Sequence, residues 1–507
     1  MSQSTAPPVS DDTELNRGRL GVVGIVFYVI AAASPLVGMT GALPVAIVLG
    51  SGPGVPGAYV AVGIVLLLFS VGYAAMSSRV TNAGAFFAYV GRGLGVTAGV
   101  GSAYVSLVAY LAIQLAIFGF FGAVMGSEMN SSFGIDWPWW VWTLIAWGLV
   151  LLLSAFSVDI GAKFLGVLML FELASLLLTA VAVFAKGGGP SGIDFGASFS
   201  PSSVFVGGLT GSAGIALTFA FASFIGFEAT AIYGEESKDP KKTVPIATYA
   251  AVTIITILFA LTTFAVISAL GADKAVQEAA ARSSVNKVPL VDSAQVIFSV
   301  AREYVGNWLA QTMSWLVLSS LFAGMLAFQN SAARYFFSMG RAGVLPKQLD
   351  KVNKAGAPLL GSMVTSVVTG VVIVVFAVTG KDPVLNMFFW FSGLAVVAIV
   401  FVEFLVCLAV ISYFHRNAQG MNIFKTTIAP ILAAIGLVIG EYLLMSRFGL
   451  LAGTVAEGVD PSKQAWGLSL LGYTLVLLPF AVFIVGATVG AIRRRGENSS
   501  AIDDLVK

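Results

Sequence analysis

The chain has 507 residues, 58% of them hydrophobic and only 10% charged, with a formal net charge of +2. A soluble protein carries about 25% charged residues, so most of this chain is built to meet lipid or other apolar helices, and its near-neutral balance gives no sign of a nucleic-acid partner. One cysteine, Cys407, and one histidine, His415, exclude an internal disulfide, a thiolate cluster and a multi-histidine metal centre.

A polar tail, 1–19, precedes the first apolar run at Leu20. That run lacks a small-residue cleavage site and is expected to be a membrane span, not a removable signal. Twelve stretches reach the ~20 residues that cross a bilayer. They lie near 20–50, 55–78, 96–126, 138–156, 161–186, 203–233, 243–270, 309–338, 358–379, 384–413, 427–446 and 466–491, with a second polar tail at 492–507. This predicts an all-α integral membrane protein of about twelve transmembrane helices in one domain, 20–491.

Lysine and arginine stay on the cytoplasmic side of short loops. One set of loops holds Arg17, Arg19, Arg79, Arg92, Lys163, Lys238, Lys241, Lys242, Arg341, Lys347, Lys351, Lys354, Arg416, Lys425 and Arg493 to Arg495. The opposite set is poorer: "SEMNSSFGIDWP" has no basic residue and "TGKDP" has one. Both termini are therefore expected to be cytoplasmic in a multi-pass plasma-membrane protein. The long outer segment 271–308 escapes the charge rule, and its "DKAVQEAAARS" and "DSAQVIFSVAREYVG" read as helices at the outer interface.

Two spans carry interruptions. The first contains "AAASPLVGMTG", where Pro35 disfavours helix before it and Gly38 and Gly41 lower the cost of unwinding. The sixth contains "FASFIGFEATAIYGEE", with Gly226 and Glu228 inside an apolar run. If spans one to five and six to ten are two repeats, about 20–186 and 203–413, these interruptions occupy equivalent places. Paired breaks of this kind point to a transporter's central site. Half-helices that start at a break aim free N–H groups at a carboxylate, and those that end there offer C=O groups to an ammonium. The expected substrate-binding residues are Ala33, Ser34, Pro35, Leu36, Val37, Gly38 and Met39 with Phe221, Ala222, Ser223, Phe224, Ile225, Gly226 and Phe227. Phe221, Phe224 and Phe227 would cover the ligand, although aromatics this dense also serve as plain core.

Three motifs resemble the amino acid–polyamine–organocation family of permeases: "FASFIGFEATAIYGEESKDPKKTVPIAT", "FQNSAARYFFSMGRAGVLPKQLDKVN" and "TNAGAFFAYVGRGLG". The resemblance covers Leu20 to about Arg495. It implies a leucine-transporter fold of five-plus-five inverted repeats with broken helices one and six, and alternating access between them. Many family members carry G-x-G in the first break, where this chain has "ASPLVGMTG". The family also handles polyamines and other amines, so the substrate is expected to be an amino acid, with an organic amine as the alternative.

Carboxylates inside spans are functional suspects. Glu172, in "GVLMLFELASLLLTA", is expected to carry a coupling proton, in the part of helix five where proton-coupled relatives place a lysine. Sodium is the alternative, with Ser319 and Ser320 of "WLVLSSLFAG" as ligands beside helix-one carbonyls. Glu228 is expected to support the broken backbone or an inner gate. Glu403, and Glu441 near the outer end of helix eleven, receive no transport role, and His415 lies at the cytoplasmic edge. No catalytic residues, metal site or cofactor are expected. A channel would need more polar spans, an enzyme a cluster of His, Asp or Cys, and a transporter-fold sensor would differ only in lacking flux. Exchange versus symport, and monomer versus homodimer, stay open.

Overall fold

The computed structural model describes residues 21–80, 86–155, 159–234, 236–354, 356–417 and 420–494. Arg17, Arg19, Glu235, Arg495, most of both terminal tails and the start of the "TNAGAFFAYVGRGLG" segment lie outside these residues, and so does the side chain of Lys163. Ten helical segments among the described residues are long and apolar enough to cross a membrane, and Trp139–Ser154 is a shorter apolar helix. The first segment, Val22–Ser77, has 56 residues. At 1.5 Å per residue it would reach roughly 84 Å, against a hydrocarbon core of about 30 Å, so it must double back. The turn falls at Gly50–Gly54, where Gly50 leaves helical geometry (φ −107°, ψ −123°) and Gly52 takes φ 55°. Two passes there, nine further long segments and Trp139–Ser154 make the expected twelve.

We label these passes α1 (Val22–Ala33 and 35–51), α2 (Val55–Ser77), α3 (Val96–Phe133), α4 (Trp139–Ser154), α5 (Asp159–Ala185), α6 (Ala213–Phe224 and Ala229–Ile232), α7 (Pro240–Leu270), α8 (Asn307–Arg341), α9 (Leu359–Val378), α10 (Phe389–Arg416), α11 (Ala429–Ala452) and α12 (Leu470–Arg494). Segment 271–308 forms the two expected helices, Ala275–Arg282 and Gln295–Tyr304.

Three boundaries differ from the hydropathy reading. Helix α3 runs to Phe133 and ends in a left-handed Gly134 (φ 68°), so "SEMNSSF" is helical. Polar residues continue a helix beyond the apolar core until a C-terminal glycine stops it. Helix α6 starts at Ala213, because the residues before it form the short helices Phe195–Phe199 and Pro201–Val204. Helix α11 continues to Ala452, which puts Glu441 at its middle. Arg447 marks a span end by hydropathy, yet it is buried and donates to the carbonyls of Thr210, Gly211, Pro461 and Ser462.

The helices pack through small residues, as expected where lipid offers no hydrophobic gain for association. A Cβ on Gly214 of α6 would stand 2.1 Å from the carbonyl oxygen of Leu443 in α11, so the two backbones touch. The outward faces of α5, α9 and α11 carry exposed Leu170, Val181, Val367, Val371 and Ile435. Polar side chains are buried throughout the interior instead, from Gln114 of α3 and Glu172 of α5 to Gln329 of α8 and Thr365 of α9.

Candidate functional site

The first interruption falls at one residue. Ser34 takes a left-handed conformation (φ 45°, ψ 68°) between Ala33 and Pro35. The Pro35 ring crowds the residue before it and denies Ser34 the right-handed helical region. A non-glycine residue in this region costs about 1–3 kcal/mol and persists only where its surroundings hold it. Here the Ser34 hydroxyl donates to the carbonyl of Ala31 (2.8 Å) and to that of Ser320 in α8 (3.3 Å). Helix restarts at Pro35, whose missing N–H is no loss in a first turn. The N–H groups of Leu36 and Val37 have no preceding turn to bond within the helix.

Gly38 and Gly41 do not unwind the chain as the sequence suggested. They lie in a wide π turn, Gly38–Ala42, and allow close packing. A Cβ on Gly38 would sit 2.4 Å from the Phe259 ring of α7, and one on Gly41 would sit 3.1 Å from Phe388.

The second interruption spans 225–228. Ile225 leaves the helix (ψ 127°) and Gly226 takes φ 111°, which side chains rarely adopt. The Glu228 carboxylate bridges the gap. Its Oε2 accepts the Gly226 N–H (2.9 Å) and its Oε1 accepts the Tyr110 hydroxyl from α3 (2.7 Å). The Tyr73 hydroxyl of α2 donates to the Glu228 carbonyl (2.8 Å). Glu228 is fully buried, and these bonds satisfy its carboxylate, its carbonyl and the Gly226 N–H.

The two interruptions touch. A Cβ on Gly226 would lie 2.6 Å from the Cβ of Ala32. Ser223 stands at the same junction: its Oγ donates to the Phe219 carbonyl (2.8 Å), lies 3.1 Å from the Tyr59 hydroxyl and borders Gly38. Tyr59 in turn stacks on Phe259, with ring centroids 5.0 Å apart.

Other expected site residues point elsewhere. Phe221 packs on Gly440 of α11, and Phe227 meets Phe69 and Tyr73 of α2 edge-on. The Met39 sulfur accepts from the Thr262 hydroxyl at 3.3 Å. Ala33, Leu36, Val37, Phe224 and Ile225 are buried, and Ala222 is half-buried.

The candidate proton carrier and the candidate sodium ligands share one place. Glu172 is 3% exposed, its Oε2 has no hydrogen-bond partner, and the hydroxyls of Ser320 and Ser319 stand beside its carboxyl. The Ser319 hydroxyl donates back to Leu316, that of Ser320 is unpartnered, and the Ser320 carbonyl receives Ser34 from the first break. One side of the junction is thus a cluster from α1, α5 and α8.

The same plan appears in known proteins. The model of the family described as amino acid permease matches residues 24–494. The chain belongs to the amino acid permease family. These are membrane transporters, not enzymes. The permease is 24% identical to the branched-chain amino acid permease BcaP of Lactococcus lactis, over 76% of this chain and 81% of that protein. It is 24% identical to the amino-acid permease GAP5 of Candida albicans, over 67% of this chain and only 53% of that one. It is 27% identical to the lysine-specific permease LysP of Lactococcus lactis, over 46% of each.

At both ends of the junction the permease pairs groups that the sequence did not single out. Toward the end where α1 begins, Arg334 of α8 donates to Glu236 (2.8 Å) and lies over the Tyr233 ring (4.8 Å), which stacks on Tyr28 of α1 (5.2 Å). Toward the other end, Phe120 stacks on Phe388 (4.9 Å), and Phe219 packs beside them. Beyond Phe120 lies a cavity of ≈ 230 Å³, lined by Glu128, Asp292, Ser293 and Asp382 among others. Tyr73, Tyr110 and Arg334 did carry a signal in the sequence: each places a polar group inside an apolar run.

Proposed function

We propose that this permease carries an amino acid across the cytoplasmic membrane by alternating access, with a proton moving through Glu172. The observation that carries this reading is the contact of the two interruptions, Gly226 against Ala32. Unpaired backbone at membrane depth is tolerated only where it lines a protein cavity. The amides of Leu36 and Val37 suit a substrate carboxylate, and the carbonyls that end Val22–Ala33 suit its ammonium. Ser223 is a small polar side chain at the junction, which suits a small or neutral substrate side chain, while Glu228 is occupied by its own backbone and Tyr110. The names of the relatives, among them a branched-chain permease and a lysine permease, support an amino acid as the cargo. The basic loops support cytoplasmic termini. The Arg334–Glu236 pair and the Phe120–Phe388 stack would then be the inner and outer gates.

Glu172 has an unpartnered carboxyl oxygen and faces the hydroxyls of α8, which suits a group that takes and gives a proton. The hydroxyls of Ser319 and Ser320 give sodium a second reading at the same place. Counterflow in proteoliposomes, with a panel of amino acids and polyamines, would test the cargo. Accumulation of one amino acid class is expected, and accumulation of polyamines alone would overturn that assignment. Uptake driven by an imposed pH gradient, with sodium replaced by choline, would test the coupling. The wild type is expected to respond to the gradient and Glu172→Gln to lose that response. A full response in Glu172→Gln, or a strict need for sodium, would remove the proton role.

A further inference from the structure

A second group of acids lies behind the α6 interruption, on the side away from Glu172. Glu403 is in the middle of α10 and 2% exposed, and its Oε2 has no hydrogen-bond partner. Glu441 is at the middle of α11, and both of its carboxyl oxygens are covered and unpartnered. Helices α6, α10 and α11 pack on one another, so Glu228, Glu403 and Glu441 sit on three adjacent helices.

Among the described residues no ion pair is formed with Glu403 or Glu441, and Arg92 of the helix Phe86–Leu94, which packs on α10, has an interaction of its own. Helices α2, α3 and α6 contain no Lys, Arg or His. On α10 the nearest is His415, twelve residues and roughly 18 Å along the helix at 1.5 Å per residue, and Arg416 beyond it donates to Gly93 and Ser412. On α11, Arg447 is committed to four backbone carbonyls. On α8, Arg334 pairs with Glu236. The remaining titratable neighbours are Tyr73, Tyr110 and Tyr335, which surround Glu228, and Cys407, one turn from Glu403. No group of His, Cys, Asp and Glu among the described residues is spaced to hold a metal ion.

A buried carboxylate without a hydrogen-bond donor or a cation is costly. Glu228 differs from the other two, because it accepts two hydrogen bonds and that arrangement suits its charged form. Glu403 and Glu441 have no such donors. An acid in such surroundings is neutralised by binding a proton.

We propose that Glu403 and Glu441 form a second proton-binding site, separate from Glu172, that keeps the rear of the α6 break neutral and exchanges its protons with water as the break moves. The proton leaves a carboxyl O–H for solvent and is replaced from solvent, with no other bond changed. The proposal does not need Glu172 to carry the coupling proton, because it is read on the carboxyls themselves and not on transport.

Infrared spectroscopy of the purified full-length protein at neutral pH tests it. A protonated-carboxyl C=O band is expected, reduced in Glu403→Gln and in Glu441→Gln and shifted within minutes of transfer to D2O. Absence of that band in the wild type would show both acids ionised and overturn the proposal without any variant. A band unchanged in both variants would overturn it as well. A band that the variants reduce but that ignores D2O for hours would make these acids static packing, which is equally fatal to an exchanging site.

Discussion

The two interruptions solve one problem by opposite means. At Ser34 the backbone is strained, and its side chain braces it through a hydroxyl shared between Ala31 and Ser320. At Gly226 the backbone is unstrained for glycine, and a carboxylate and two tyrosines brace it from α2, α3 and α6 itself. The Ser34 brace reaches α8 and the Glu172 cluster, whereas the Gly226 brace reaches the rear acids. The side-chain brace at Ser34 is one shared hydroxyl, whereas that at Gly226 is three good hydrogen bonds. Under the proposed alternating access, this difference would make α1 the moving part and α6 the fixed reference.

The largest expected effect is at Gly226. Gly226→Ala puts a side chain at φ 111° and a methyl group 2.6 Å from Ala32. Strain of about 1–3 kcal/mol joins a clash that forces the two breaks apart. Uptake into proteoliposomes should fall by about tenfold or more, since about 1.4 kcal/mol is tenfold. Near-normal uptake would mean that the contact between the breaks is not the site.

Next is Glu228→Gln, which keeps the shape but sets an amide against one of the two donors. Leaving one buried donor unsatisfied costs about 1–3 kcal/mol, so the thermal unfolding midpoint of the purified protein should drop clearly. Tyr110→Phe should fall less, because it removes one donor and leaves the Gly226 bond intact. An unchanged midpoint for Glu228→Gln would break the claim that α6 is the braced side.

The smallest effect is expected at Ser34. Ser34→Ala removes a hydroxyl shared between two carbonyls, a loss of about 1 kcal/mol, and leaves the Pro35 constraint in place. Uptake should change by less than tenfold and the midpoint by less than in Glu228→Gln. Equal losses at Ser34 and Glu228 would erase the distinction between the two breaks.

Pro35 and Gly226 were legible as breaks because each acts through its own backbone: one excludes helix before it, the other permits a φ that side chains avoid. Glu172 and Glu228 were legible as suspects because charge inside an apolar run is costly wherever the chain goes. The roles of Gly38 and Gly41 were misread, since a glycine that flexes and a glycine that admits a neighbouring ring look alike along the chain. The partners of Glu228 were hidden for the same reason: Tyr110 lies 118 residues away and the Tyr73 contact spans 155.

By itself, then, the sequence determined twelve membrane passes, their charged ends, the two places where helix must fail, and the acids that lipid would not tolerate. Each follows from local chemistry: apolar length, loop charge, proline, glycine, and the cost of a buried carboxylate. Only the tertiary structure decided that the breaks touch, that Glu172 and the α8 serines form one cluster, that Glu228 is spoken for by two tyrosines, and that Glu403 and Glu441 are left without a donor. These depend on which helices become neighbours, and close packing through small residues leaves almost no trace in any single stretch of chain.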